Sequence, residues 1–275
     1  MERDRIFKGI KKVVIKIGTN VLTSANNRLD LSIIEHLVEQ VCYLIKEKRV
    51  KVIIVTSGAI AAGMQLLGWK KRPQEISRLQ AAASVGQSRL MRVYDRLFKE
   101  EGINVGQILL TRDIFTMPVR KNNAKETIQT LLKLDVIPII NENDSVAVEE
   151  IKVGDNDILS AYVADLVSAD MLIIITDVDG LSSIDPKEKS DSKVISIVDN
   201  FSIAERIVKN SVPSGYGTGG MKSKVSAAKY VTGKGIICLI LNGKKMWCIK
   251  KAFKGEKIGT IFIPTGSKRY KKENI

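Results

Sequence analysis

Five short polar segments of this sequence carry residue types that handle phosphate groups and metal ions. Lysine ammonium groups and converging backbone N–H groups bind phosphate oxygens, whereas carboxylates hold Mg²⁺ or orient lysines. Together these residue types predict phosphoryl transfer from a nucleotide. The segments are Lys16-Ile17-Gly18-Thr19, Thr56-Ser57-Gly58, Asn141-Glu142-Asn143-Asp144 with Gly154-Asp155-Asn156-Asp157, Thr176-Asp177, and residues 214–224.

Two lysines are placed to contact a phosphate. Lys16 stands near the end of the apolar run 13–17, and Gly18 after it allows a ligand to approach the backbone closely. A lysine that only reaches solvent from a strand would not need that glycine. Residues 214–224 contain four glycines, whose backbone N–H groups can converge on an anion, and Lys224 follows them about one turn into a predicted helix.

The second and third segments each leave an alternative open. Ser57-Gly58 at a strand end is typical of an anion-binding helix start, and equally of an ordinary serine N-cap. A polar loop would explain residues 154–156, but not the acids that directly follow the run 136–140. Buried carboxylates need cations beside them, so this cluster predicts partners such as lysines or substrate amino groups.

Several other chemistries are excluded by composition. The chain has one histidine, His36, predicted to be a solvated surface residue, and three cysteines without a C-x-x-C pair. A carboxylate nucleophile would need no histidine base. Gly215-x-Gly217-x-x-Gly220 matches a dinucleotide fingerprint, but it follows a polar stretch and has no acid about 20 residues later. No Walker A motif occurs.

Hydrophobic runs and helical patterns alternate along the chain. This pattern predicts an α/β fold with a mainly parallel sheet covered on both faces, and a ligand site beyond the carboxyl ends of the strands. We expect a capping box at Ser32-x-x-Glu35 and a hairpin over 144–154. Strands are predicted at 13–17, 52–55, 105–110, 136–140, 171–175 and 236–241, and helices at 32–48, 59–67, 73–101, between the third and fourth strands, 156–168 and 219–231.

The charge and the uncharged stretches bear on location and partners. The net charge is +14, and residues 243–275 hold ten Lys or Arg against two acids. A basic end can bind nucleic acid, but few aromatics accompany these lysines, so we favour a protein that handles anionic ligands. The N-terminus lacks a signal peptide, and the uncharged stretch 52–69 contains polar residues and glycines. We expect a soluble, cytoplasmic protein without a membrane segment.

Eight segments resemble, in the same order, those of the glutamate 5-kinases of the amino acid kinase superfamily. The resemblance spans roughly residues 11–262. Its most specific part is Asn-Glu-Asn-Asp followed by Val-Gly-Asp-Asn-Asp, with Gly-Thr-Gly-Gly-Met later. The segments are 16–19, 55–63, 84–90, 106–112, 141–144, 152–157, Thr176-Asp177 with Gly180-Leu181, and 217–221 with Lys224.

The resemblance implies a three-layer α/β/α sandwich that transfers the γ-phosphate of ATP, with Mg²⁺, to the γ-carboxylate of L-glutamate. The product, γ-glutamyl 5-phosphate, starts proline biosynthesis. Lys16 and Lys224 would neutralise the transferring group, and Asp157 would orient both. Ser57, Asp144 and Asn156 would bind glutamate. The residues implied to hold ATP are Lys16, Thr176, Asp177, Thr218, Gly219, Gly220, Met221, Lys222, Ser223 and Lys224.

The domain organisation and partners follow from the same resemblance. We expect an amino acid kinase domain over 1–264 and a basic tail over 265–275, since many family members continue into a C-terminal PUA domain near where this sequence stops. We also expect a homo-oligomer. Because the product is labile, the resemblance also implies its hand-over to γ-glutamyl phosphate reductase.

Two alternatives stay open on the sequence. Another amino acid kinase, such as an acetylglutamate or aspartate kinase, would share the fold; Asp144 and Asn156, placed to meet a free α-amino and α-carboxylate group, distinguish glutamate from those substrates. A basic nucleic-acid-binding protein would instead show salt-sensitive binding that disappears when residues 268–275 are deleted.

Overall fold

The computed structural model describes residues 3–24, 28–146, 156–183, 193–209 and 220–264. The predicted hairpin and the basic tail lie wholly or mostly outside these ranges. So do Gly154, Asp155, Thr218 and Gly219.

The described residues form one eight-stranded sheet. Its strands are β1 Lys12–Ile17, β2 Lys51–Thr56, β3 Val105–Leu110, β4 Ile137–Glu142, β5 Met171–Thr176, β6 Ile197–Val198, β7 Ile237–Asn242 and β8 Thr260–Phe262. Across the sheet they lie in the order β3-β4-β2-β1-β5-β7-β8-β6. All neighbouring pairs are parallel except β7 with β8, which is antiparallel. Four adjacent strands, β4, β2, β1 and β5, therefore deliver their carboxyl ends to one edge of the sheet.

Helices connect the strands and cover the sheet. A single 3₁₀ turn, Arg112–Phe115, precedes α6. The helices are α1 Arg3–Phe7, α2 Thr19–Leu22, α3 Leu31–Lys46, α4 Ala59–Leu66, α5 Ile76–Glu100, α6 Pro118–Lys133, α7 Asn156–Leu166, α8 Phe201–Lys209, α9 Met221–Gly233 and α10 Cys248–Phe253. Within the described part of the chain, none of them combines the length and the apolar composition that a bilayer crossing requires.

The side chains of β1 show that the sheet is covered on both faces. Val13, Ile15 and Ile17 belong to one buried cluster, shared with α3, α5 and α10. Val14 belongs to a second cluster, shared with α6, α7, α8 and α9. Alternate residues of a strand point to opposite faces, so two cores on one strand mean three layers. The predicted α/β/α sandwich with a mainly parallel sheet is confirmed.

Two glycines allow α4 and α5 to pack with their backbones almost in contact. A Cβ atom on Gly63 would overlap the backbone of Ala82, and one on Gly86 would overlap the backbone of Ala59. Since no side chain fits there, both positions need glycine. The close contact with α5 that they allow holds α4 in place, and the first turn of α4 follows Ser57.

The start of α3 differs from the prediction. The residue before the helix is Asp30, whose side chain accepts a hydrogen bond from the backbone N–H of Ile33. Ser32 instead donates its hydroxyl to Asp30 over 2.6 Å. The predicted Ser32-x-x-Glu35 capping box was therefore wrong: an aspartate two residues earlier is an equally good N-cap and captures the free N–H group.

The prediction that His36 is a solvated surface residue was also wrong. Its side chain is 12% exposed, and its Nε2 atom accepts a hydrogen bond from Trp247 N over 2.9 Å. One turn later Gln40 Oε1 accepts from Ile249 N over 2.8 Å. The side chains of α3 thus satisfy N–H groups at the start of α10, a helix that the sequence analysis did not predict.

Candidate active site

A buried carboxylate joins the two predicted lysines. Lys16 Nζ lies 2.6 Å from Asp157 Oδ1, and Lys224 Nζ lies 3.1 Å from Asp157 Oδ2. The Ser223 hydroxyl donates to Oδ2 over 2.7 Å. The Asp157 side chain is fully buried and the two lysine side chains are 7% exposed. Residues far apart in the chain therefore meet in one compact charged group.

The local fold explains why these three residues meet. Lys16 alternates along β1 with Ile15 and Ile17, so its side chain faces the layer that contains α7 and α9. Asp157 lies in the first turn of α7, where the helix dipole favours a negative charge. Lys224 is the fourth residue of α9, one turn into the helix as predicted.

The charge state of this group follows from its surroundings. Burial alone raises the pKa of Asp157, because it disfavours the charged form. The charges of Lys16 and Lys224, with hydrogen bonds from Lys16 and Ser223, outweigh burial and lower that pKa below its ordinary value. Asp157 is therefore ionised at neutral pH, and the three side chains together carry one net positive charge.

Gly18 leaves room beside the Lys16 ammonium. A Cβ atom at Gly18 would lie 3.4 Å from Lys16 Nζ and 3.4 Å from the carbonyl oxygen of Ile175. A side chain would therefore fill space next to the ammonium group. The prediction that this glycine permits a ligand to approach is consistent with that geometry.

Asn156 links the ends of two strands, β2 and β4, next to the charged group. Its Nδ2 atom donates to Thr56 O over 2.8 Å, to Ser57 Oγ over 3.0 Å and to Asn141 Oδ1 over 3.0 Å. Asn141 in turn donates to Gln87 Oε1 on α5 over 2.9 Å. The Oδ1 atom of Asn156 is buried and makes no hydrogen bond to the described residues. It is an acceptor available to a ligand.

A pocket opens beside this amide network. It combines carboxylates, amides and hydroxyls with one positively charged side chain, Arg72. Arg72 is partly exposed; the burial of the rest of its side chain lowers its pKa, and the charge of Asp144 opposes that effect. The second pocket carboxylate, Glu142, faces Arg112, with Nε and Oε1 3.7 Å apart. The lining residues are Thr19, Ser57, Gly58, Ala59, Ile60, Ala61, Arg72, Asn141, Glu142, Asp144 and Asn156.

The predicted ATP-binding residues divide into two groups in the structure. Thr176, at the end of β5, donates its hydroxyl to Asp177 Oδ1 over 3.2 Å, and Asn20 Nδ2 donates to Asp177 Oδ2 over 3.1 Å. In the other group, Gly220 is the N-cap of α9 and Met221 its first residue. Lys222 is exposed, whereas Ser223 contacts Asp157. Thr218 and Gly219 lie outside the described residues.

Sequence reasoning gave no role to several residues of this site. Gln87 and Arg112 lie in segments that carry the family resemblance. The resemblance marked these segments but gave neither residue a role. Arg72 belongs to the polar stretch between α4 and α5, and no motif or periodicity marks it. Only the fold brings it to the pocket.

Comparison with known proteins places this architecture in one class. The sequence profile described as the amino acid kinase family matches residues 11–242. Two solved structures share the fold: a carbamate kinase from Giardia lamblia bound to AMP-PNP (TM-score 0.67, 18% identity, 93% of this chain and 99% of that one), and a UMP kinase from Bacillus anthracis (TM-score 0.61, 15% identity, 93% and 96%). The chain belongs to the amino acid kinase family.

Three curated glutamate 5-kinases illustrate that similarity. The protein of Caldanaerobacter subterraneus subsp. tengcongensis is 46% identical over 92% of this chain and 68% of its own length. That of Geobacter metallireducens is 45% identical over 95% of this chain and 70% of its own length. The Clostridium tetani protein is 45% identical over 94% of this chain and 97% of its own length. Within the amino acid kinase family, the chain therefore belongs to the glutamate 5-kinases.

Proposed function

We propose that this chain transfers the γ-phosphate of ATP to the γ-carboxylate of L-glutamate, giving γ-glutamyl 5-phosphate, the first intermediate of proline biosynthesis. The observation that carries this proposal is the contact of Lys16 and Lys224 with one buried carboxylate, beside a pocket of mixed charge. Glutamate 5-kinases at 45–46% identity support the same reaction.

The chemistry suits the groups present. A γ-carboxylate oxygen of glutamate attacks the γ-phosphorus, the bond from that phosphorus to the bridging oxygen breaks, and its electron pair leaves on ADP. The nucleophile is already an anion, so no proton needs to be removed. The task of the protein is to hold two anions together and to stabilise the charge on the migrating group. Lys16 and Lys224 supply that charge, and Asp157 fixes where their ammonium groups lie.

The proposed glutamate site is the pocket that contains Ser57, Asp144 and Asn156. The charge of Asp144 suits the α-ammonium group of the substrate. The buried Oδ1 atom of Asn156, which lacks a hydrogen bond from the described residues, suits a donor on the same substrate. An N-acetylated substrate would bring neither the charge nor the full set of donors.

ATP is proposed to lie across the ends of β5 and α9, near Thr176, Asp177 and the segment 218–224. For Mg²⁺, the described residues offer no cluster of three acidic, histidine or cysteine side chains that could hold the ion by themselves. Mg²⁺ commonly reaches kinase sites on the phosphates of its nucleotide, with several waters retained. We therefore propose that Mg²⁺ enters the site bound to the phosphates of ATP.

The remaining parts of the proposal concern cellular context. We place the enzyme in the cytoplasm, as a homo-oligomer that passes its labile acyl phosphate to γ-glutamyl phosphate reductase. Co-elution of the two purified proteins on size-exclusion chromatography would test this transfer, and separate elution at every ratio would argue against a stable complex.

Isotope transfer tests the reaction itself. L-Glutamate labelled with ¹⁸O in its γ-carboxylate is incubated with ATP and Mg²⁺, and the released phosphate is analysed by mass spectrometry. γ-Glutamyl phosphate cyclises by attack of its own amine on the acyl carbon, so the phosphate should retain one ¹⁸O atom. Unlabelled phosphate would refute the carboxylate nucleophile. Faster ADP release with N-acetylglutamate or aspartate would refute the choice of substrate.

A further inference from the structure

Arg72 is a pocket residue with no role in the reaction described above. It lies in the segment between α4 and α5 and lines the pocket together with Asp144, Glu142 and Asn156. Among the described residues that line this pocket, it is the one with a positive charge. Neither Lys16, Lys224 nor Asp157 lines the pocket, so Arg72 supplies a cation at a place separate from the phosphoryl-transfer group.

The orientation of the substrate determines what Arg72 meets. The γ-carboxylate must point towards Lys16 and Lys224, where the phosphoryl group is transferred. The α-carbon, with its ammonium group and its second carboxylate, then occupies the rest of the pocket. Two of the groups there, Glu142 and Asp144, are carboxylates. A substrate carboxylate beside them is repelled unless a cation stands next to it.

Arg72 is the pocket cation placed to neutralise the second carboxylate of the substrate. Arg112 is the cation that faces Glu142. Arg72 interacts with the charge of Asp144, which also lines the pocket. The Arg72 side chain lines the pocket and is also exposed to solvent, whereas Lys16 and Lys224 are buried, so Arg72 can meet the end of an inserted glutamate that points away from the two lysines.

We propose that Arg72 binds the α-carboxylate of glutamate and thereby makes the pocket selective for acceptors that carry this second carboxylate. The inference rests on the proposed function. A guanidinium group presents two parallel N–H donors that match a carboxylate, which a lysine ammonium cannot do. The solvent around Arg72 weakens the contact, so its loss should weaken glutamate binding by about tenfold rather than by several orders of magnitude.

The experiment removes the charge from the protein and the carboxylate from the ligand in turn. Arg72→Gln and Arg72→Lys are compared with wild type for the KM and kcat of L-glutamate. Two analogues are then used as competitive inhibitors: glutarate keeps both carboxylates and lacks the amino group, whereas 4-aminobutyrate keeps the amino group and lacks the α-carboxylate. Arg78→Gln is the matched control, because Arg78 is exposed nearby and packs over the Trp69 ring.

We expect Arg72→Gln to raise the KM of L-glutamate and the inhibition constant of glutarate about tenfold. The inhibition constant of 4-aminobutyrate and kcat should change by less than about threefold. Arg72→Lys should recover part of the loss, and Arg78→Gln should behave as wild type. An unchanged glutamate KM in Arg72→Gln overturns the inference. An equal rise in the inhibition constants of glutarate and 4-aminobutyrate also overturns it, because Arg72 would then support the shape of the pocket and not bind the α-carboxylate.

Calorimetric titration of L-glutamate separates this inference from the proposed reaction. If wild type binds L-glutamate but releases no ADP, the proposed function fails, while weaker binding to Arg72→Gln still supports the role of Arg72. If wild type turns over glutamate and both proteins bind it equally, the role of Arg72 fails and the proposed function stands.

Discussion

Asp157→Asn removes one negative charge from between two ammonium groups and keeps the shape of the side chain. The oxygens of Asp157 lie 2.6 Å from Lys16 Nζ and 3.1 Å from Lys224 Nζ. At an effective dielectric constant of about 20, those distances correspond to gross attractions of about 6 and about 5 kcal/mol. Burial of the three charges offsets much of this, so the expected loss in the free energy of unfolding is about 3–5 kcal/mol.

The same substitution should slow the reaction without abolishing ATP binding. With the carboxylate gone, the two lysines repel each other and no longer hold fixed positions around the migrating group, so we expect kcat to fall by about 100-fold or more. The phosphates of ATP can replace the missing negative charge. Nucleotide should therefore raise the melting temperature of Asp157→Asn at least as much as that of wild type. Urea unfolding measures the free energy of unfolding, differential scanning fluorimetry the melting temperature with and without nucleotide, and an ADP-release assay kcat.

The effect of Asp157→Asn on the free energy of unfolding should depend on pH. The folded-state pKa of Asp157 is lowered, so its contribution to stability is fully present above the unfolded pKa of about 4 and is lost as pH falls further. The difference in unfolding free energy between wild type and Asp157→Asn should stay constant from about pH 5 to 8 and shrink below pH 4. If Asp157→Asn keeps wild-type stability and kcat, this carboxylate does not organise the lysines.

Three further variants test the substrate site and the packing that positions it. Asp144→Asn should raise the KM of glutamate at least about tenfold with little change in kcat, and an unchanged glutamate response would remove Asp144 from the site. Gly86→Ala should lower the unfolding free energy by about 1–3 kcal/mol because its Cβ overlaps the α4 backbone, whereas Gly233→Ala, with open space around it, should not; equal effects would contradict that packing. Gln40→Ala leaves the N–H of Ile249 without its acceptor and should cost about 1–3 kcal/mol on urea unfolding, and no loss would refute that contact.

Much of the fold was readable because each central strand is a continuous apolar run. The six predicted strands all exist, and the largest error is instructive. The predicted fourth strand ends at Ile140, where the apolar residues stop, but β4 continues through Asn141 and Glu142. These two residues pair with Leu109 and Leu110 of β3 and are buried. Both polar residues also line the pocket of the candidate site, and hydrophobic pattern alone cannot show that the strand continues through them.

The short elements of the C-terminal third were not predicted. Strands β6 and β8 have two and three residues, too few for a period to be visible, and α10 is only six residues long. The error at His36 has the same origin. It lies off the apolar stripe of α3, which suggests solvent, yet α10 packs on that side and supplies a hydrogen-bond donor. Contacts between distant segments set the environment of these residues.

The central charged group was accessible to sequence reasoning, whereas the pocket around it was not. Lys16 and Lys224 were each predicted to contact a phosphate from the glycines beside them in the sequence, and the resemblance to the glutamate 5-kinases added Asp157 as the carboxylate that orients both. Arg72 stands next to two lysines, in a stretch typical of a solvated loop. Its place beside Asp144 depends on how α4 and α5 are joined, which no local pattern encodes.

A single-turnover measurement on the two lysines tests the account most directly. Lys16→Ala and Lys224→Ala are mixed with saturating ATP, Mg²⁺, L-glutamate and hydroxylamine, which traps γ-glutamyl phosphate as the hydroxamate. Lys229→Ala, an exposed lysine of α9 paired with Glu205, is the control. We predict that trapping slows at least about 100-fold in both lysine variants and stays at the wild-type rate in the control. A wild-type rate in either Lys16→Ala or Lys224→Ala would contradict the joint role of the two ammonium groups in phosphoryl transfer.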